Sequence, residues 1–288
     1  MDHSNSYFAY GAGAAPAFDG FETYEEAGGR SGVTAFLPDY ELCFLGVPGS
    51  SGGGVLALKA RKGQVVPGRI LRKPRAFSPN CPLVSKVVLT PDGGVVQLPL
   101  YMPEPVARRQ ARAPDEGYLA ALRAYRRTLN LENSALDASA RGERSREIFA
   151  NLFVYGTLMR GECRFRILTE ECGIENIEPG SVPGRLLDLG AYPGMIDDSG
   201  DNARVLGEMC TLLDPGRAFS ILDEVEDFLG WESQSSMYER ILTRVDLDGG
   251  AQQVAWTYRL AAIPPNAREL AGGDWRARTL KSTDSGVG

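Results

Sequence analysis

Leu152-Phe153-Val154-Tyr155-Gly156-Thr157-Leu158-Met159-Arg160-Gly161 is a short aromatic and β-branched run stopped by glycine and followed by a small hydroxyl residue. The run reads as a strand that ends in a tight loop. Such a loop exposes successive backbone N–H groups, which can cradle a carboxylate or a developing oxyanion. Gly-Thr turns are common, and a plain strand-to-loop connection has the same letters. The surrounding sequence has to decide.

Downstream of this run, strand signals cover 152–155, 181–187, 204–213, 238–247 and 251–260, with turns expected at Pro193-Gly194 and Asp248-Gly249-Gly250. One helix is predicted from about Pro215 to Leu229, opened by an Asp214 N-cap and a first-turn proline and closed by Gly230. On a helical wheel started at Ala218, Leu222, Val225 and Leu229 cluster, and Glu226 falls at about 80°, between Leu222 and Phe219. Asp223, Glu224 and Asp227 fall at about 140°, −120° and 180°, facing away. One acid of four is thus aimed at the interior. A carboxylate there loses solvation and its pKa rises, the condition a general base needs near neutral pH. The other reading is an interior Glu neutralised by a structural arginine such as Arg240 or Arg244. Spacing does not choose between them.

The first half repeats some of this pattern. Tyr7-Phe8-Ala9-Tyr10-Gly11 answers the run at 152–156, and Val65-Val66-Pro67-Gly68-Arg69-Ile70-Leu71 answers Arg204-Val205-Leu206-Gly207-Glu208-Met209. The spacing suggests two copies of one unit, chance likeness of short strands being the alternative. A helix is expected from Pro114 to Leu131, with Tyr118, Leu119, Leu122, Tyr125 and Leu129 as its packing stripe. The polar segment Glu132–Glu147 reads as a linker.

Composition removes several chemistries. The sole histidine, His3, sits near the start of the chain, so no Ser-His or Cys-His nucleophile and no imidazole metal site is expected. Cys43, Cys81, Cys163, Cys172 and Cys210 are odd in number and contain no CxxC pair, which reads as reduced thiols. Net charge is −6, divided unevenly: residues 1–131 carry 15 Lys/Arg against 11 Asp/Glu, and residues 149–288 carry 13 against 22. An acidic second half argues against nucleic acid as a partner. No apolar run approaches the roughly 18 residues of a spanning helix, and the first residues lack the features of a secretory signal. No membrane partner and a cytoplasmic location are therefore expected.

Taken together, the second-half motifs resemble the γ-glutamyl cyclotransferase-like (AIG2-like) family over nearly the whole of that half. The resemblance is carried by Phe153–Gly161, Ala191-Tyr192-Pro193-Gly194, Val205–Met209, Leu222-Asp223-Glu224-Val225-Glu226-Asp227, Tyr238-Glu239-Arg240, Ala255-Trp256-Thr257-Tyr258 and Gly272-Gly273-Asp274-Trp275. It implies cleavage of a γ-glutamyl amide by attack of the glutamyl α-amine on the γ-carbonyl, giving 5-oxoproline and a free amine. It implies Glu226 as the proton-transfer residue and a substrate-binding set of Tyr155, Gly156, Thr157, Leu158, Tyr192 and Tyr238. No cofactor and no metal are implied, and a small-molecule γ-glutamyl substrate is the expected partner. The branch with Tyr-Gly-Thr-Leu and Gly-Asp-Trp resembles members that deprotect γ-glutamylated amines in bacterial biosynthetic pathways. One departure is Asp227, where the family usually has glycine.

The first half keeps the family's opening Tyr-Gly but continues Ala12-Gly13-Ala14, and between Val66 and Leu100 its only acid is Asp92, in a Pro91-Asp92-Gly93-Gly94 turn. An inactive copy is expected, packed on the active one or helping it bind substrate. The expected fold is α+β: two tandem domains, each a small mixed β-barrel with flanking helices, at 1–131 and 149–280, joined by a linker at 132–148 and followed by a tail at 281–288. Two other functions fit the sequence less closely: a non-enzymatic binding or scaffold protein, and γ-glutamyl transfer or hydrolysis on the same site.

Overall fold

The computed structural model describes residues 6–10, 33–45, 55–72, 83–101, 150–197 and 202–278. The helix expected at 114–131, the linker and the tail lie outside the described residues.

The second half closes into a five-stranded barrel. Its strands are β6 (Asn151–Val154), β7 (Ile174–Pro183), β10 (Arg204–Leu212), β11 (Tyr238–Leu247) and β12 (Gln252–Leu260), in the order β10-β6-β12-β11-β7. All ladders are antiparallel except β12 with β6, where Trp256 faces Leu152 in a parallel pairing that closes the ring. A small sheet of β8 (Arg185–Asp188), β9 (Pro193–Ile196) and β13 (Arg268–Glu269) flanks it. Every residue of β6 is buried, which is why that run alternates so little in polarity. Trp256, fully buried, packs edge-on against Phe219 at 5.4 Å and anchors the one α-helix of the described residues to the barrel.

That helix, α1 (Pro215–Val225), starts as expected: Asp214 is extended and its carboxylate accepts the Arg217 N–H at 3.2 Å. It ends four residues before the expected Leu229. Glu226 leaves helical geometry at φ −95, ψ 5, and Asp227 takes φ 50, a left-handed conformation that stops the helix. Leu229, expected inside, is 63% exposed. The expected turn at Pro193-Gly194 is instead the start of β9, paired with Asp188 and Leu187. The chain turns earlier, where Leu189 N–H meets the Tyr192 carbonyl at 3.1 Å. Asp248-Gly249-Gly250 does turn, with Gly250 at φ 83.

The positive φ also explains the departure at Asp227. Glycine adopts that conformation without Cβ strain, and aspartate tolerates it at a cost. Asp227→Gly is expected to raise stability by up to about 1 kcal/mol, seen as a higher urea midpoint at unchanged slope.

In the first half, β1 (Ser6–Tyr10), β2 (Val33–Leu45), β3 (Val55–Arg72), β4 (Leu83–Leu89) and β5 (Val95–Tyr101) form one antiparallel sheet in the order β1-β3-β2-β4-β5. Among the described residues the sheet is not a closed barrel, although β5 lies next to β1, and the helix that packs on it is α1 of the other half, against β3. The expected closed barrel is corrected to an open sheet among the described residues, while the helix expected to flank it at 114–131 lies outside them. Side chains alternate by the two-residue period of strands. Ala35, Leu37, Val66, Val88 and Leu98 share one core, while Phe36, Val65 and Leu89 join the core of the barrel. The sheet is thereby fused to the barrel by an apolar face as well as by charges. Asp92 sits in its turn, accepting from Thr90 Oγ1, and the next carbonyl, of Gly93, accepts from Arg259 Nη1 across the two halves at 3.1 Å.

Candidate active site

The loop after β6 folds back on itself: Met159 N–H donates to the Gly156 carbonyl and Arg164 N–H to the Thr157 carbonyl, both at 2.9 Å. The backbone N–H groups of Gly156, Thr157 and Leu158 have no hydrogen-bond partner among the described residues. Gly156 is required where it is, because a Cβ there would stand 2.4 Å from the Pro193 ring. The loop forms one side of a cavity of about 210 Å³. Tyr155, Gly156, Thr157, Leu158, Tyr192, Tyr238 and Glu226 all line it, so the structure brings together every residue singled out as catalytic or substrate-binding.

The tyrosine hydroxyls are tied down. Tyr155 donates to the Tyr258 carbonyl at 2.7 Å and accepts from Met195 N–H at 3.3 Å, and Tyr238 donates to the Pro193 carbonyl at 2.6 Å. Burial raises both phenols well above their usual pKa, so they stay protonated. Their rings serve as walls.

Glu226 is held by its backbone N–H to the Leu222 carbonyl at 2.9 Å. Its half-buried carboxylate has no hydrogen-bond or ion-pair partner among the described residues. Desolvation pushes its pKa up to about 7, opposed only in part by the Arg164 charge. This decides one of the open readings: neither Arg240 nor Arg244 neutralises Glu226. The cation that it does feel, Arg164, has no sequence signal; it reaches the cavity because the 156–164 loop doubles back.

Arg240 has another task. Its side chain is fully buried, its guanidinium 4.5 Å from the Phe219 ring centroid and 4.9 Å from that of Trp256. Nε lies 3.1 Å from Asp223 Oδ1, and Nη2 donates to Asp39 Oδ2 at 2.9 Å. Nε meets no hydrogen-bond geometry, so its approach to Asp223 is ionic. Asp223, expected to face away, is in fact buried: Tyr258 OH donates to its Oδ1 at 2.7 Å and Lys62 Nζ lies 2.8 Å from Oδ2. Asp39 and Lys62 come from the β2–β3 pair, which also presses Gly63 against Pro215 and Gly216 at the start of α1. The first half thus covers the Asp223 side of α1, while Glu224 and Asp227 are exposed as the wheel has them.

Among the described residues, a carboxylate of raised pKa without a partner shares this cavity with a loop of free N–H groups, an arrangement that can do acid–base work on a polar substrate. The chain belongs to the γ-glutamyl cyclotransferase, AIG2-like family. Residues 152–277 match that family. The chain is 31% identical over 116 residues to the γ-L-glutamyl-butirosin B γ-glutamyl cyclotransferase of Niallia circulans, an alignment that covers 40% of this chain and 69% of that protein. Among solved structures, a mouse AIG2-like protein is 23% identical with TM-score 0.34, over 40% of this chain and 80% of that one. YkqA from Bacillus subtilis is 24% identical with TM-score 0.33, over 44% of this chain and 39% of that one. No helix of the described residues is long and apolar enough to cross a membrane.

Proposed function

We propose that the chain is a γ-glutamyl cyclotransferase acting on a γ-glutamylated amine or amino acid. The observation that carries this reading is the Glu226 carboxylate, without a partner among the described residues and of pKa about 7, in one cavity with the N–H groups of Gly156, Thr157 and Leu158, which are free of described partners too. In the proposed reaction the substrate folds so that its α-amine meets its own γ-carbonyl, which supplies much of the rate. Glu226 takes a proton from the amine as the new C–N bond forms, and the loop N–H groups receive the carbonyl oxygen as it becomes an oxyanion. The protonated Glu226 then delivers that proton to the departing nitrogen. The old amide bond breaks, leaving 5-oxoproline and the free amine. Neither an enzyme nucleophile nor a cofactor enters. The relative from Niallia circulans is named for a γ-glutamylated compound, which supports this substrate class.

Product identity is the test. Incubated with a panel of γ-glutamyl amines and amino acids, the wild type should release 5-oxoproline, read by mass spectrometry. Glutamate as the product would move the reading to hydrolysis, and a new γ-glutamyl amide to transfer. No product across a broad panel would favour a binding protein on the same fold.

The first half we read as a second copy that lacks a counterpart of the segment 213–237, which carries Glu226. In both halves the strands pair in the order first, third, second, fourth, fifth, β8 and β9 being set aside. A Cβ on Gly68 would stand 2.2 Å from the Ala9 carbonyl oxygen and 2.6 Å from the Phe8 ring; on Gly207 it would stand 2.3 Å from the Val154 carbonyl oxygen and 2.6 Å from the Phe153 ring. Residues 73–82 connect β3 to β4, whereas 213–237, with α1 and Glu226, connect β10 to β11. This copy, inactive for want of that segment, supports the active one through Asp39 and Lys62.

A further inference from the structure

Among the described residues that line the cavity, Arg164 is the only cation, facing Glu226 and Asp227 as the only anions. Its backbone is fixed by the Thr157 carbonyl, and its guanidinium lies 6.0 Å from the centroid of the Tyr192 ring. No described carboxylate lies within ion-pair distance of it, and its side chain makes no hydrogen bond to a described residue. Arg164 and Tyr192 are half-buried, while Tyr155, Tyr238 and Tyr258 are buried. The arginine therefore stands at the mouth, above a floor of aromatic rings. A partly desolvated guanidinium without a counter-ion is an anion receptor, and its planar fork matches a carboxylate in two parallel hydrogen bonds.

We propose that Arg164 receives a substrate carboxylate at the mouth of the cavity. This rests on the cyclotransferase reading, which supplies two sources of that group. One is the α-carboxylate of the glutamyl head. The other is the carboxylate of the amino acid being released. The free loop N–H groups are left for the carbonyl oxygen. A cation at the mouth also disfavours a leaving amine with a second ammonium close to the scissile bond, since like charges there repel.

The experiment compares wild type, Arg164→Gln and Arg164→Lys on γ-glutamyl-alanine and on γ-glutamyl-ethylamide, its analogue without the leaving-group carboxylate. Removing a charge-assisted pair is expected to raise KM about 10- to 100-fold with little change in kcat, and lysine should restore part of the loss. If the released amino acid supplies the carboxylate, Arg164→Gln raises KM for γ-glutamyl-alanine alone. If the glutamyl head supplies it, KM rises for both compounds. KM within about twofold of wild type for both overturns the proposal, on the same scale of interaction energies. Calorimetric binding of both compounds to Glu226→Gln, with and without Arg164→Gln, reads the same contact without turnover. There a tenfold loss supports the receptor, by the same scale, while equal binding or no binding overturns it. Failure of the cyclotransferase reading shows separately, as binding without 5-oxoproline from the wild type.

Discussion

Glu226→Gln is expected to lower 5-oxoproline release by roughly 10²- to 10⁴-fold, because the amide keeps the shape of the side chain and cannot accept the proton of the attacking amine. In the wild type kcat/KM should rise with pH through about 7, the value to which burial pushes the carboxyl, as the base form is generated. The same shift predicts a stability change of opposite sense. The carboxyl pKa is raised in the folded state from an ordinary 4.5 to about 7, so its contribution to stability is complete below 4.5 and is lost as pH rises towards 7. The full shift corresponds to about 3 kcal/mol, and the partial exposure of the group reduces this to about 1–3 kcal/mol. An amide in place of the Glu226 carboxylate carries no such burden. The Glu226→Gln variant should therefore be the more stable protein above pH 7, and the difference should vanish near pH 4. Urea unfolding at the two pH values, beside the activity assay, checks both statements. A variant that is active, or less stable at every pH, would mark Glu226 as an ordinary structural residue.

Asp223→Ala is expected to cost about 3–5 kcal/mol of stability, the range for removing one member of a buried ion pair. The substitution leaves the fully buried Arg240 guanidinium with Asp39 as its remaining counter-ion, and deprives both the Tyr258 hydroxyl and Lys62 of their partner. The aromatic rings around Arg240 hold its flat faces and offer no acceptor for its edge. Asp223→Asn, which retains an oxygen for Tyr258, should lose less. Lys62→Met should lose least, because Lys62 is 41% exposed and its charge is shared with solvent. Denaturant midpoints of the three variants give the order. Equal losses would mean that packing around residue 223, rather than charge, holds α1 in place.

Glu226 was legible in the sequence, though partly through a geometry that the chain does not adopt. The wheel set it between Leu222 and Phe219 on a helix running to Leu229. The helix stops at Val225, and Glu226 still points inward because it lies about one turn beyond the buried Leu222 and about two beyond the buried Phe219. The β6 run and its glycine loop were equally legible, since strand and loop chemistry are local. Asp223 was not. Amphipathic pattern reports which face of α1 packs on its own barrel, and says nothing of a second layer arriving from the far end of the chain.

By itself the sequence determined four of the five barrel strands, the start of α1, the loop from Tyr155 to Leu158 and the candidate acid–base carboxylate. Each depends on neighbours within a few residues, or on a motif whose spacing is read directly. The run expected at 181–187 instead straddles the end of β7 and the flanking strand β8. Only the tertiary structure decided that Pro193-Gly194 continues into a strand, that Asp223 is interior, and that Arg164 shares the cavity with Glu226. Strand pairing set the first. The β2–β3 pair brought Lys62 and Asp39 across to settle the second. A loop folded through the Thr157 carbonyl settled the third. Contacts between residues far apart in the chain depend on how whole elements pack, and local periodicity does not encode that packing.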